Sequence, residues 1–378
     1  MPPPDYLFIG LMSGTSLDGV DGVLAAFPAA PSFPAEPTRI LASAYIPFPA
    51  DLRADLMALQ APGDNEIHRE ALAANALARR YAECVAQLLA ASGIAAGAVR
   101  ALGVHGQTIR HRPELGYTRQ AGNPALLAEL AGIDVIADFR SRDIAAGGQG
   151  APLVPAFHQA VFGRPGETRV VANVGGIGNI SVLSEDGKVI GFDTGPGNVL
   201  MDGWIARHRG ESYDKEGAWA ASGQPVPALL DAMLAEPFLA LPPPKSTGRD
   251  LFHMDWLAGK LALCSGLAPA DVQATLAAFT ATSLATAIHA HAPAATAVYV
   301  CGGGAYNWYL MGLLRDALAI RDQPAKVEST EALGVAPNHV EALAFAWLAL
   351  RHVEHKAGNL PAVTGAAGLR ILGALYPA

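Results

Sequence analysis

Phe8-Ile9-Gly10-Leu11-Met12-Ser13-Gly14-Thr15-Ser16-Leu17-Asp18-Gly19-Val20-Asp21 decides how the chain is read. An apolar run enters a loop of glycines, hydroxyls and two acids, and a second apolar run leaves it. Such a loop can hold phosphate, because its backbone N–H groups can converge on anionic oxygens while Thr15 and Ser16 add hydroxyl donors. Gly14 and Gly19 are placed to supply the positive φ that a tight path demands. A β-hairpin that needs glycine at its turn and nothing more fits the same residues, so the rest of the chain has to decide.

Outward from this loop, periodicity predicts strands over residues 6–12, 20–27 and 39–45 and a helix over 67–92. Ala74, Leu77, Ala78, Tyr81, Val85, Leu88 and Leu89 step by three and four along that helix, the stripe of a helix lying on a sheet. A strand at 101–105, a helix at 124–131 and a strand at 134–138 complete an order β-β-β-α-β-α-β. The second half repeats it, with strands at 168–174, 179–183 and 189–193, helices that include 270–292, and a strand at 297–301. A helix at 307–318, a strand at 326–329 and a last helix at 338–355 follow. The duplication rests on element order alone, because the two halves share no visible sequence.

Length agrees with two lobes, since 378 residues exceed the usual reach of one hydrophobic core. The expectation is an α/β chain of residues 1–165 and 166–378, with the C-terminal segment available to complete the first lobe. Hydrophobic residues make up 51% and charged residues only 16%, which suits a compact chain with a large core. A net charge of −8 leaves no basic surface for a phosphate backbone, so nucleic acid is not an expected partner. Cys84, Cys264 and Cys301 are scattered and form no CxxC pair, which argues against a disulfide framework and for a reducing cytoplasm. Met1-Pro2-Pro3-Pro4-Asp5 is not the start of a signal peptide, and no apolar run is long enough to span a membrane.

Matching places in the halves carry matching chemistry. Asn173-Val174-Gly175-Gly176-Ile177-Gly178-Asn179 joins two strands as the Ser13 to Asp18 loop does, so two phosphate loops can face one cleft. Gly302, Gly303 and Gly304 follow a strand and precede a helix, where bare backbone could lie against the base or ribose of a nucleotide. No strict GxGxxG and no Walker A occurs. Asp193 closes a predicted strand just before a Gly-Pro turn, either as a catalytic acid facing a crevice or as a turn former. His105, Gln107 and Arg140 end first-half strands where a sugar's hydroxyls, amide or carboxylate could meet them, Arg140 in bidentate fashion. Strand capping by His105 and pairing of Arg140 with Asp138 or Asp143 fit equally. Lys245 and Arg249 sit in a proline-led loop open to either a solvated or a ligand-contacting reading. His105, His111 and His158 have no zinc framework around them.

With these residues in view, the chain resembles the anhydro-N-acetylmuramic acid kinases, members of the actin, Hsp70 and sugar-kinase superfamily. The resemblance covers Gly10 to Asp21, His105-Gly106-Gln107-Thr108, Ala137-Asp138-Phe139-Arg140 and Gly147 to Pro155. It continues through Asn173 to Asn179, Phe192 to Asn198, Pro243 to Arg249 and Glu341-Ala342-Leu343-Ala344-Phe345. It implies two actin-like, ribonuclease H-like lobes around a central cleft. It also implies an ATP-dependent enzyme that opens the 1,6-anhydro bridge of N-acetylmuramic acid with water while phosphorylating O6, in cell-wall recycling. By that likeness Gly14, Thr15, Ser16, Leu17, Asp18, Gly19, Val20 and Asp21 bind ATP phosphates, Asp193 is the base for water, and Glu341 is a second carboxylate that helps place it.

The chemistry is coherent. Water attacking the anomeric carbon opposite the bridge oxygen is inverting hydrolysis with a carboxylate base, and the departing O6 is captured by the γ-phosphoryl group in place of a proton. Charge on that group calls for Mg²⁺, with Asp18, Asp21 and Asp193 as available oxygen donors and no choice among them made. A plain amino-sugar hydroxyl kinase and a non-enzymatic ATP-switched actin-like or Hsp70-like protein are the competing readings. A homodimer is the default assembly.

Overall fold

The structure, a computed structural model, describes residues 6–14, 16–28, 38–248, 250–320 and 325–378. Thr15 and Arg249, both singled out above, lie outside the described residues. The chain forms two compact units, one of Met1–Val161 with His339–Ala378 and one of Phe162–Asn338.

In the first unit β1 (Tyr6–Met12), β2 (Gly19–Phe27) and β3 (Arg39–Pro47) form an antiparallel meander. β4 (Ala101–Val104) pairs parallel with the free side of β1. β5 (Gln107–Arg112) and β6 (Tyr117–Ala121) form a separate hairpin that periodicity did not predict, and β7 (Val135–Ala137) pairs parallel with β4. A helix at Ala50–Ala58 was also not predicted, and it has no apolar stripe beyond its buried Leu52 and Leu56.

The second unit repeats the arrangement. β8 (Arg169–Val174), β9 (Ile177–Leu183) and β10 (Val189–Pro196) are antiparallel, and β11 (Ala297–Cys301) and β12 (Lys326–Ser329) extend the other side of β8 in parallel. The order β10-β9-β8-β11-β12 reproduces β3-β2-β1-β4-β7. The duplication inferred from element order is therefore a duplication of sheet topology, and each unit is actin-like. β13 (Ala374–Tyr376) then returns to the first unit and adds an antiparallel edge beside β7.

Two glycines fix how the first sheet is covered. Gly10 and Gly103 are register partners in β1 and β4, and a Cβ on either would collide with the backbone of the helix Val340–Val353, at Ala342 and Phe345. That helix, which sequence order assigns to the second half, thus belongs to the first unit and lies directly on strand backbone. The other face is covered by the helix Glu66–Ser92, whose Ala74, Leu77, Ala78, Tyr81, Val85 and Leu88 are buried as their spacing predicts. Gly22 of β2, on that face, gives way to Cys84.

The second sheet packs on the helix Pro269–His291, around a core that includes Val170, Val182, Phe192, Phe279, Leu284 and Val300.

Candidate active site

The turn between β1 and β2 is held from below. Gln107 donates from Nε2 to the carbonyl of Gly14 at 3.0 Å, and the Ser13 hydroxyl meets the buried Tyr81 hydroxyl at 2.8 Å. Ser16 donates to Asp18 Oδ1 at 2.6 Å. The positive φ expected at Gly14 and Gly19 falls instead on Leu17, at 56°. Gly19 is needed for space, because a Cβ there would strike the Ile46 carbonyl and the Tyr45 ring. Leu17 tolerates its conformation with its side chain buried in the core of the unit.

His105 follows β4 with both ring nitrogens engaged. Nδ1 donates to the Ser13 carbonyl at 3.1 Å, and Nε2 accepts from Arg140, 3.0 Å from Nη2 and 3.3 Å from Nε. Burial and the adjacent guanidinium push the imidazole down to about 3, so it is a neutral acceptor at physiological pH. Arg140 also donates from Nη1 to the Gly150 carbonyl at 2.7 Å. It pairs with neither Asp138 nor Asp143. Instead Asp143, fully buried, accepts from the Gly150 N–H at 2.8 Å, Asn359 Nδ2 at 2.7 Å and the Thr364 hydroxyl at 2.8 Å. The loop that presents Arg140 is thereby tied to the C-terminal segment.

Three carboxylates oppose one another in this unit. Burial first, and then the charges of Asp18 and Glu341, push Asp21 up to about 7. Glu341, in the first turn of the helix Val340–Val353, is pushed up by burial and drawn back by Arg140. Among the described residues no group of three or more Asp, Glu, His or Cys is arranged to hold a metal by itself. The donor set suits a hard cation that takes one or two protein carboxylates and draws its remaining oxygens from phosphate and water, as Mg²⁺ does.

In the second unit the glycine loops meet. The Gly175 carbonyl accepts from Asn198 N–H at 2.8 Å, and the Gly176 carbonyl accepts from Gly197 at 2.9 Å and Val199 at 3.1 Å. Asn198 Nδ2 donates to the Val174 carbonyl at 3.1 Å. Gly302, at φ 77°, turns against Asn173 and Val174, where a Cβ would stand 2.6 Å from Asn173 Oδ1. Gly304 packs on Val174 as well.

Asp193 is not at the end of its strand. It sits at a bulge between Asp193 and Gly195, inside β10, and the local break in pairing turns its side chain toward the Lys245 to Thr247 loop. Asp193 Oδ2 accepts from the Ser246 hydroxyl at 3.0 Å and the Thr247 N–H at 2.9 Å. Burial pushes the carboxyl up, and those two donors and the Lys245 charge pull it back.

Within the first unit the structure brings together Gly14, His105, Gln107 and Arg140 through hydrogen bonds, and Asp18, Asp21, Arg140 and Glu341 through charge. Within the second it gathers Gly175, Gly176, Gly302 and Gly304, while Gly303 lies beside Asn198. Sequence reasoning gave no role to Ser246, Thr247 or Asn198, and weighed Asp143 only as a partner of Arg140. Ser246 and Thr247 stood in the quoted Pro243 to Arg249 motif and had a signal. The tie from Asp143 to the C-terminal segment had none, because Asn359 and Thr364 lie more than 200 residues away.

A model of the family described as anhydro-N-acetylmuramic acid kinase matches residues 6–378. The chain belongs to that family. It is accordingly a phosphotransferase acting on a sugar. A relative from Burkholderia orbicola (strain MC0-3), named anhydro-N-acetylmuramic acid kinase, is 59% identical over 376 residues, covering 99% of this chain and 97% of its own. One of the same name from Cupriavidus pinatubonensis (strain JMP 134 / LMG 1197) is 60% identical over 377 residues, covering 98% of each. Among solved structures, a ROK family glucokinase from Streptomyces griseus in complex with glucose and AMPPNP aligns over 90% of this chain and 98% of its own. Its TM-score is 0.42 and its identity 14%. No helix among the described residues is long and apolar enough to cross a membrane.

Proposed function

We propose that this chain uses ATP to phosphorylate O6 of 1,6-anhydro-N-acetylmuramic acid while water opens the anhydro bridge, giving N-acetylmuramic acid 6-phosphate and ADP in peptidoglycan recycling. The observation that carries the hydrolytic half is the state of Asp193. Two donors hold Oδ2, whereas among the described residues Oδ1 receives no hydrogen bond and is open to accept a proton from water. A base must lie within hydrogen-bond reach of the proton it takes, and a carboxylate with one oxygen tied and one open presents a fixed lone pair.

The remaining roles follow from chemistry. The β1–β2 turn, from Gly14 to Asp21, is assigned the ATP phosphates, and Gly175, Gly176, Gly302, Gly303 and Gly304 the rest of the nucleotide. Arg140 keeps N–H groups on Nη1 and Nη2 beyond those given to His105 and Gly150, and these suit the lactyl carboxylate. His105 and Gln107 hold that arginine and the Gly14 turn, and they meet the sugar through those supports. Glu341 assists in placing the water. Asp21 and Asp18 would hold Mg²⁺, which when bound neutralises charge on the transferring phosphoryl group. The reading puts the enzyme in the cytoplasm, where the thiols of Cys84, Cys264 and Cys301 stay reduced, as a homodimer whose mass sedimentation would report.

Turnover of ATP and the anhydro sugar in ¹⁸O-labelled water tests the proposal. The label should enter at C1, and a product without it would identify a plain hydroxyl kinase. Asp193→Asn should lower kcat by at least about a hundredfold and spare nucleotide affinity. Near-normal turnover by that variant overturns the base assignment.

A further inference from the structure

Lys245, Ser246 and Thr247 close on Asp193 from outside its own sheet. The Asp193 N–H donates to the Lys245 carbonyl at 3.2 Å, in a contact that continues neither β9 nor any other strand. The Ser246 hydroxyl and Thr247 N–H then both reach the same carboxylate oxygen, Oδ2. Convergence on one oxygen matters, because it fixes the rotation of the carboxylate and leaves Oδ1 with a defined direction.

Lys245 is itself immobilised. Its Nζ donates to the carbonyls of Phe238 at 3.1 Å and Leu239 at 2.8 Å, at the end of the short helix Pro237–Ala240. The ammonium lies 4.8 Å from the centre of the Phe238 ring and 5.9 Å from that of Phe192, the residue before Asp193. Two carbonyls and two ring faces are a strong set of partners for a cation, and they explain how a half-buried lysine keeps its charge close to a carboxylate.

We propose that Lys245, Ser246 and Thr247 are positioning residues of the reaction, a clamp that aims Asp193 Oδ1 at the attacking water. The proposal rests on Asp193 as the base and adds how that base is made competent. The clamp has an electrostatic part too. Burial favours the protonated carboxyl, which cannot accept from water, and the hydroxyl, the amide and the ammonium each favour the ionised form. Loss of any one of them should therefore raise the pH at which the base becomes available.

The test is the pH profile of kcat/KM for the anhydro sugar, from pH 5 to 9 at saturating ATP, on the full chain. Ser246→Ala removes one donor from an exposed hydroxyl and Lys245→Met removes the charge while keeping the stem. Each should move the acid limb upward by about half a pH unit or more, the scale set by one charge-assisted hydrogen bond. kcat at neutral pH should fall several-fold, KM for ATP should hold, and Ser246→Thr should restore the wild-type limb. If Lys245→Met fails to fold by circular dichroism, the Ser246 pair decides alone. An unshifted acid limb in Ser246→Ala overturns the clamp. Asp193→Asn separates the two levels: if it is inactive while Ser246→Ala is unshifted, the base stands and the clamp falls, and if it is active, the base itself falls.

Discussion

Asp21 shows how one residue can work against the stability of its own fold. Its carboxyl sits at about 7 against an ordinary value of 3.8, because burial and the neighbouring Asp18 and Glu341 all oppose its charge. The folded chain therefore holds this proton where the unfolded chain has lost it. Stability contributed by the group is fully present below about pH 4, declines as pH rises through that window, and is gone above about pH 7. Asp21→Asn carries no such charge. It should stabilise the ligand-free protein at pH 8 by on the order of 1 kcal/mol, a figure reduced for solvent screening at a partly exposed site. The melting temperature should then rise by about 2–4 °C. At pH 4 the gain should vanish, which scanning calorimetry at the two pH values checks. The same variant should be a poor catalyst, since a repelled carboxylate is worth keeping only where a cation neutralises it. His105 makes the complementary case: a buried imidazole whose two nitrogens are spent on Ser13 and Arg140 serves the site by support.

Among elements, the helix Val340–Val353 lies against the backbone of β1 and β4 at Gly10 and Gly103, with no room for a Cβ on either. Gly10→Ala puts a methyl group into the Ala342 carbonyl, and neither strand nor helix backbone can yield cheaply. The cost should be about 1–3 kcal/mol, as for other overpacked cores. Because Glu341 rides on the first turn of that helix, activity should fall more than the lost stability explains. Urea unfolding compared with kcat at a temperature where the variant is fully folded separates the two effects. This contact also marks what the sequence could tell. Strong periodicity located β1, β11, β12 and the long helices within a residue or two, and the order of the elements carried the duplication. The helix 340–353 was visible as an element, yet its partners were not, because nothing local ties Ala342 to Gly10. Similarly, the Gly-Pro turn suggested that β10 ended at Asp193, whereas pairing with β9 resumes beyond a bulge and runs to Pro196. Asp193, Arg140 and the glycine loops could be read from residue type and motif. Ser246 and Asp143 could not be given a role, since hydrogen bonds across 53 and more than 200 residues are consequences of the fold.

At the scale of the whole chain, the first unit is assembled from two separated stretches and the second from one. That asymmetry has a consequence for folding. All residues of the second core cluster lie between Val170 and Val327, so among the described residues that core is drawn from the segment 162–338 alone. The first unit by contrast lacks a cover on one face of its sheet until Val340 to Leu350 arrive, and that stretch brings Val340, Leu343, Phe345, Trp347, Leu348 and Leu350, all buried. At about 1.5–3 kcal/mol for each large apolar side chain, their burial rivals the roughly 5–15 kcal/mol of net stability typical of a domain. A chain ending at residue 338 should therefore leave one face of its first sheet uncovered, bind a hydrophobic dye strongly and lose the cooperative unfolding transition of the first unit. The isolated segment 162–338 should instead unfold cooperatively in urea, with a slope suited to its size, since slope scales with the surface exposed. A sloping, non-cooperative transition in that segment would mean that the second core depends on residues outside it, and the independence argued from its contacts would be refuted.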